Sequence, residues 1–232
     1  MIKYTVPALL EESFRKFGAR PALGFAGEAA ITYGQLKEKT ADVQRLLANY
    51  GIGKGDKVAI LSSNMPNWGA AFFAILQTGA VAVPILPDFH SNEIKSILDH
   101  SEAKMMFVSE NLYYKVEKEE LYALSALVLI DNFAVIPKGT PVKELGKLEP
   151  LQDLAVERLY RDGSDIEEED LATIIYTSGT TGSSKGVMLT HKNISWNGLQ
   201  SITIEPINSN DRFLSILPLS HIFERLWSYG CM

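Results

Sequence analysis

Apolar residues recur with a helical period in some stretches of the chain and run unbroken in others, and the alternation of the two sets the architecture. Thr5 precedes Val6, Leu9, Leu10, Phe14 and Phe17, which a 3.6-residue period places on one face, so a helix capped by Thr5 is predicted. Thr32-Tyr33-Gly34-Gln35 has the form of a capping box, where the Thr and Gln side chains each satisfy the other's backbone N–H. It opens a second helix with Leu36, Thr40, Val43, Leu46, Leu47 and Tyr50 at helical spacing, stopped by the glycine-rich residues 51–56. Residues 58–61 and 81–85 are short β-rich runs. Between them residues 65–78 read as a helix with Pro66 in its first turn and Gly79 as its stop. Further on, Ser91 is the expected cap of a helix with Ile94, Ile97 and Leu98 inward, and residues 105–108 and 127–130 are short strands. Residues 115–120, rich in Lys and Glu, read as a helix with a solvated face between those strands. Residues 134–150 are looser, with three prolines and two glycines, and residues 163–170 carry five acids, mostly as a solvated lead-in. Residues 171–176 and 187–189 read as short buried strands.

Helices and strands alternate, so the expected class is α/β, with a largely parallel sheet flanked by helices. A boundary near residue 165 is compatible with the pattern, but the fold of the family that the chain resembles, on the residues given below, implies one sheet continuing across it. The 30 residues from 58 to 87 carry no charge, which is long enough for a membrane span. Asn64, Pro66, Asn67, Gln77, Gly79 and Pro84 interrupt it, and a buried strand–helix–strand unit accounts for it better.

Composition narrows the function. The 232 residues are 46% apolar and 22% charged with a net charge of −6, which fits an acidic soluble protein and not a basic nucleic-acid binder. The single cysteine, Cys231, forms no internal disulfide or metal cluster, and the N-terminus lacks a basic region followed by an apolar run, so a cytoplasmic location is expected.

The densest chemistry lies in residues 177–186, with six hydroxyl side chains, three glycines and Lys185. Glycine lets backbone N–H groups converge on an anion, hydroxyls donate further hydrogen bonds, and lysine adds a compact charge. A Gly/Ser/Thr linker in solvent has the same composition. The Walker A spacing fails, because Gly179 is followed by Gly182 and Lys185 by Gly186, and no helix evidently starts after the lysine. The ordered string Tyr176-Thr-Ser-Gly-Thr-Thr-Gly-Ser-Ser-Lys-Gly-Val-Met-Leu-Thr-His191 resembles the loop that marks the adenylate-forming (AMP-binding) enzymes, with Ser184 where that family usually has proline. Ile31-Thr32-Tyr33-Gly34-Gln35-Leu36 and Leu76-Gln77-Thr78-Gly79-Ala80-Val81-Ala82-Val83-Pro84-Ile85 resemble two further elements of the family, with a core-packing role. Leu217-Pro218-Leu219-Ser220-His221-Ile222-Phe223-Glu224-Arg225 resembles the long-chain fatty acid–CoA ligase branch. In isolation His221 would read as a packing histidine and Glu224-Arg225 as a surface pair.

The resemblance implies ATP-dependent activation of a fatty acid to an acyl-adenylate, then transfer to coenzyme A, with ATP, Mg²⁺ and CoA as substrates or cofactors. Composition and the interrupted apolar run point to no nucleic-acid partner and no membrane-spanning segment, while the lipid substrate that the resemblance implies is compatible with peripheral membrane contact. The resemblance assigns the cradling of the departing pyrophosphate to Thr177, Ser178, Gly179, Thr180, Thr181, Gly182 and Lys185, and places His221 beside the acyl and adenylate pocket as the candidate catalytic residue. An acyl-acyl carrier protein ligase, another adenylate-forming enzyme and a non-catalytic nucleotide-binding fragment remain alternatives. The resemblance runs from about residue 10 to the end, whereas the family's adenine-binding stretch, Mg²⁺-holding acid, ribose-binding aspartate and C-terminal lysine have no counterpart here. Residues 1–232 are therefore expected to be the N-terminal portion of an AMP-binding domain, without its C-terminal part and lid, unable to complete adenylation alone and exposing apolar surface near residue 232 that favours self-association.

Overall fold

Local capping and apolar periodicity set the first two helices of the computed structural model, which describes residues 3–117, 121, 123–150, 160–177, 185–204, 208–222 and 224. In α1 (Val6–Phe17) the Thr5 hydroxyl accepts from the Ala8 N–H at 3.3 Å. A short antiparallel pair, β1 (Pro21–Leu23) and β2 (Ile31–Thr32), leads into α2 (Tyr33–Asn49). There the capping box forms as the sequence predicts: Gln35 N donates to the Thr32 hydroxyl at 3.1 Å and Thr32 N donates to Gln35 Oε1 at 2.8 Å.

The uncharged run becomes β3 (Lys57–Leu61), α3 (Pro66–Gln77) and β4 (Val81–Ile85). Gly79 ends the helix at φ +75°, and a Cβ there would stand 2.8 Å from Ile166 Cδ1, so both conformation and space require glycine. Next come α4 (Ser91–Ser101), β5 (Ala103–Val108), β6 (Ala126–Leu129), β7 (Ala134–Val135), β8 (Leu171–Thr177), β9 (Lys185–Thr190) and α5 (His191–Ile204), with 3₁₀ turns at Glu110–Lys115 and Val142–Lys147. One seven-stranded sheet runs β7-β6-β5-β3-β4-β8-β9. The five inner strands are parallel, while β7 and β9 pair antiparallel at the two edges. The sheet continues across residue 165, as expected.

Strand alternation divides the core in two. Val58 and Ile60 pack with Phe72, Leu76 and Phe107 under α1–α3, whereas Ala59 and Leu61 pack with Val83, Ile94 and Met106 under α4. With both faces covered, the inner strands are mostly apolar, which accounts for the long uncharged run without a membrane. No helix among the described residues is long and apolar enough to cross one.

Three expectations are corrected. His90, not Ser91, caps α4, with its N–H donating to Glu93 Oε2 at 2.8 Å. The expected helix at 115–120 is absent where it is described: the turn is 3₁₀, lies earlier, and buries Leu112 and Tyr113. Lys115 is not solvated there, because its Nζ donates to Phe89 O at 2.8 Å and also to Pro87 O. The acidic lead-in is mostly exposed, as expected, while Glu168 and Asp170 are bound. Glu168 accepts from Tyr4 N at 3.0 Å and Asp170 meets Lys54 Nζ at 2.6 Å, which holds the Asp170 carboxyl below its usual pKa range. Finally, β9 is not buried: Val187 is 47% and Met188 64% exposed, because β9 is an edge strand covered on neither of these side chains.

Candidate functional site

Parallel pairing aligns the carboxyl ends of β3, β4, β5 and β8 along one edge of the sheet, and ligands of open α/β sheets bind outside that edge. The loop rich in hydroxyls leaves from it. Thr177 is the last residue of β8 and lies opposite Lys185, the first residue of β9. Both are exposed, so the ladder presents a hydroxyl and an ammonium group at the two feet of residues 178–184. Ser178, Gly179, Thr180, Thr181 and Gly182 of the predicted cradle lie outside the described residues, as does Cys231. A strand, not a helix, follows Lys185, in line with the failed Walker A spacing. Gly186 is needed for this closeness: a Cβ there would stand 2.9 Å from Ile174 Cγ2 and 3.3 Å from the Tyr176 ring.

Beneath the hairpin, Tyr176 Oη and His100 Nδ1 share a 2.6 Å hydrogen bond, with the rings edge to face at 5.7 Å. Burial raises the Tyr176 phenol pKa, so the hydroxyl stays protonated. These two residues line an open groove of about 320 Å³ together with Lys57, Glu102 and Met188. A larger groove of about 420 Å³ lies on α1 among Glu11, Glu12, Arg15 and Lys37, away from the loop. The site is therefore located by the strand ends, not by the size of a groove. The pairing of His100 with Tyr176 was not legible in sequence, since 76 residues separate them.

His191, the last residue of the recognised string, is fully buried at the start of α5. Its N–H donates to Asp170 O at 3.0 Å, yet neither ring nitrogen has a partner among the described residues. Burial pushes its pKa down to about 4, against the opposing pull of Asp170, so the imidazole is neutral near pH 7.

His221 is exposed, in a turn closed by its own N–H donating to Pro218 O at 2.8 Å. It reaches the sheet through β3 rather than through β8. Asn64, just beyond β3, bonds to Ser215, Leu217 and Leu219 of the segment leading to it. The fold thus joins Thr177 with Lys185 directly, while His221 is carried to the same edge by a separate segment. Glu224 accepts from Leu217 N at 3.3 Å, and Arg225 lies outside the described residues. Among the described residues no three His, Cys, Asp or Glu side chains converge as a metal cluster requires.

A family described as AMP-binding enzyme matches residues 10–232. A chloroplastic long-chain-fatty-acid–[acyl-carrier-protein] ligase of Arabidopsis thaliana is 29% identical over 97% of this chain and 33% of its own length. A long-chain-fatty-acid–CoA ligase of Rattus norvegicus is 29% identical over 96% of this chain and 35% of its own. The chain spans about a third of the length of these curated relatives. The crystal structure of a long-chain-fatty-acid–CoA ligase from Archaeoglobus fulgidus superposes with a TM-score of 0.75 at 23% identity, over 97% of this chain and 44% of that one, and shows the same fold. A match that runs through both the β8–β9 hairpin and the His221 turn makes this chain a member of the AMP-binding enzyme family.

Proposed function

We propose that this chain is the N-terminal portion of the AMP-binding domain of a long-chain fatty acid–CoA ligase. The carrying observation is the β8–β9 hairpin, which sets Thr177 and Lys185 opposite each other at the carboxyl edge of the sheet. In this reading the fatty acid carboxylate attacks the α-phosphate of ATP, forming the acyl–phosphate bond and breaking the bond to pyrophosphate. A thiol then displaces AMP. Such transfer depends on positioning and charge neutralisation more than on covalent help from the protein. Thr177, Ser178, Thr180 and Thr181 would donate to the β- and γ-phosphates, Gly179 and Gly182 would admit the backbone, and Lys185 would offset the negative charge as pyrophosphate leaves. His221 would stand beside the acyl and adenylate pocket. A nucleotide of this charge calls for Mg²⁺, but the described residues supply no carboxylate cluster to hold it, so no step is assigned to the metal here.

The equal identity of a carrier-protein ligase and a CoA ligase keeps the thiol acceptor as a second reading. Fatty-acid-dependent ATP–pyrophosphate exchange, run on the product of the full reading frame with acids of increasing length, tests the proposal. Exchange restricted to long-chain acids, falling about tenfold or more in Lys185→Ala, is the expected result. Thioester formation on carrier protein but not CoA would select the second reading. A folded protein that exchanges with no acid would overturn both and leave nucleotide binding without adenylation. Residues 1–232 alone are expected to give no acyl-CoA.

A further inference from the structure

Asn64 occupies a singular place in this sheet. The connection from β3 leads to β4 on one side, and the connection from β5 leads to β6 on the other. The crevice between β3 and β5 is therefore the point where the chain changes direction. Asn64 stands at its mouth, between the end of β3 and the proline that opens α3. The stretch that carries it is tied across the crevice: Asn111 Nδ2 donates to the Ser63 hydroxyl at 2.7 Å, and Ser63 N donates to the Ser109 hydroxyl at 3.4 Å. A strand end, a helix start and these cross-links fix its backbone.

The side chain uses both ends of its amide on one distant segment. Nδ2 donates to Leu217 O at 2.7 Å and to Ser215 Oγ at 2.9 Å, and Oδ1 accepts from Leu219 N at 2.8 Å. That segment has little apolar anchorage before Leu219. Leu214 and Ile216 are 70% and 76% exposed, and Leu219 alone of the four leucines and isoleucines from 214 to 219 packs against the core. His221 follows two residues later, in the turn closed onto Pro218.

We infer that Asn64 is a positioning residue: its amide clamps residues 215–219 to the carboxyl end of β3 and so fixes the orientation of His221. Only an amide meets the geometry, because it donates twice and accepts once from a single planar group. Aspartate keeps the acceptor for Leu219 and loses both donors, and alanine loses all three contacts. The inference rests on the site role proposed for His221, and its test separates the two.

Hydrogen exchange read at the Leu219 amide reports the clamp itself. Asn64→Ala is expected to speed it about tenfold or more, and Asn64→Asp to speed it less. In the product of the full reading frame, Asn64→Ala is expected to lower kcat of ATP–pyrophosphate exchange about tenfold, with KM for ATP changed less than about twofold. A double-mutant cycle then asks whether Asn64 acts through His221. If it does, Asn64→Ala/His221→Ala is no slower than His221→Ala alone, whereas a merely structural contribution would add in full. Unchanged Leu219 exchange in both variants, or full additivity, would overturn the inference. Should His221→Ala prove as active as the parent, the site role of His221 fails, and the Leu219 measurement alone upholds or overturns the clamp. If Asn64→Ala does not fold, Asn64→Asp carries the same comparisons.

Discussion

The β3–α3–β4 unit and the rim formed by β9 with residues 208–222 are built on opposite terms. In the first, Val58 to Leu61, Ala70 to Leu76 and Ala80 to Val83 are almost entirely buried, and Trp68 stacks on Phe72 at 5.0 Å. In the second, Val187, Met188, Phe213, Leu214, Ile216, Leu217 and Ile222 are all substantially exposed. The rim nevertheless carries Lys185 and His221, while the interior unit has a charged side chain only at its first residue, Lys57, at the amino end of β3. Burial on two faces leaves a strand no side chain to offer a ligand, and the ends and edges of the sheet keep that freedom.

This contrast can be broken most sharply in the core. Phe72→Ala removes a fully buried ring from the α1–α3 layer and is expected to cost about 4 kcal/mol, read from urea denaturation. A loss below about 1 kcal/mol would mean that the layer is no more tightly packed than the rim.

His191 directly follows the exposed edge strand β9 and is itself fully buried. Its folded pKa of about 4 lies below its ordinary value of 6.5, so the unfolded chain binds the proton more readily. Its contribution to stability is complete above pH 6.5 and is lost as pH falls from there toward 4, by up to roughly 3 kcal/mol. Denaturation across that pH range should show a steeper acid slope in the parent than in His191→Gln, and equal slopes would remove His191 from the account. The smallest effect is expected at the rim itself. Met188→Thr, on an edge strand and 64% exposed, should shift stability by no more than about 0.5 kcal/mol. A larger loss would mean that β9 is packed more like an interior strand.

Much of this was legible in the residues because it is governed locally. The Thr32–Gln35 capping box, the Thr5 cap and the stop at Gly79 involve groups within one turn of each other, and each formed as the sequence reads. The burial of β9 was misjudged for a related reason. Val187-Met188-Leu189 is as apolar as an interior strand, and only its place at the end of the strand order leaves it open. The 3₁₀ turn at Glu110–Lys115 escaped because Lys115 looks solvated in sequence, whereas carbonyls from residues 87 and 89 capture it in space.

The sequence by itself determined the α/β class, the family and the chemical character of residues 177–186, because periodicity, caps and an ordered string of residue types are properties of neighbours along the chain. Tertiary structure alone decided that Thr177 faces Lys185, that His100 meets Tyr176 and that Asn64 holds the segment before His221. Each of those contacts depends on strand order, and strand order is set by how the two apolar layers cover the faces of the sheet, not by any residue's neighbours in sequence.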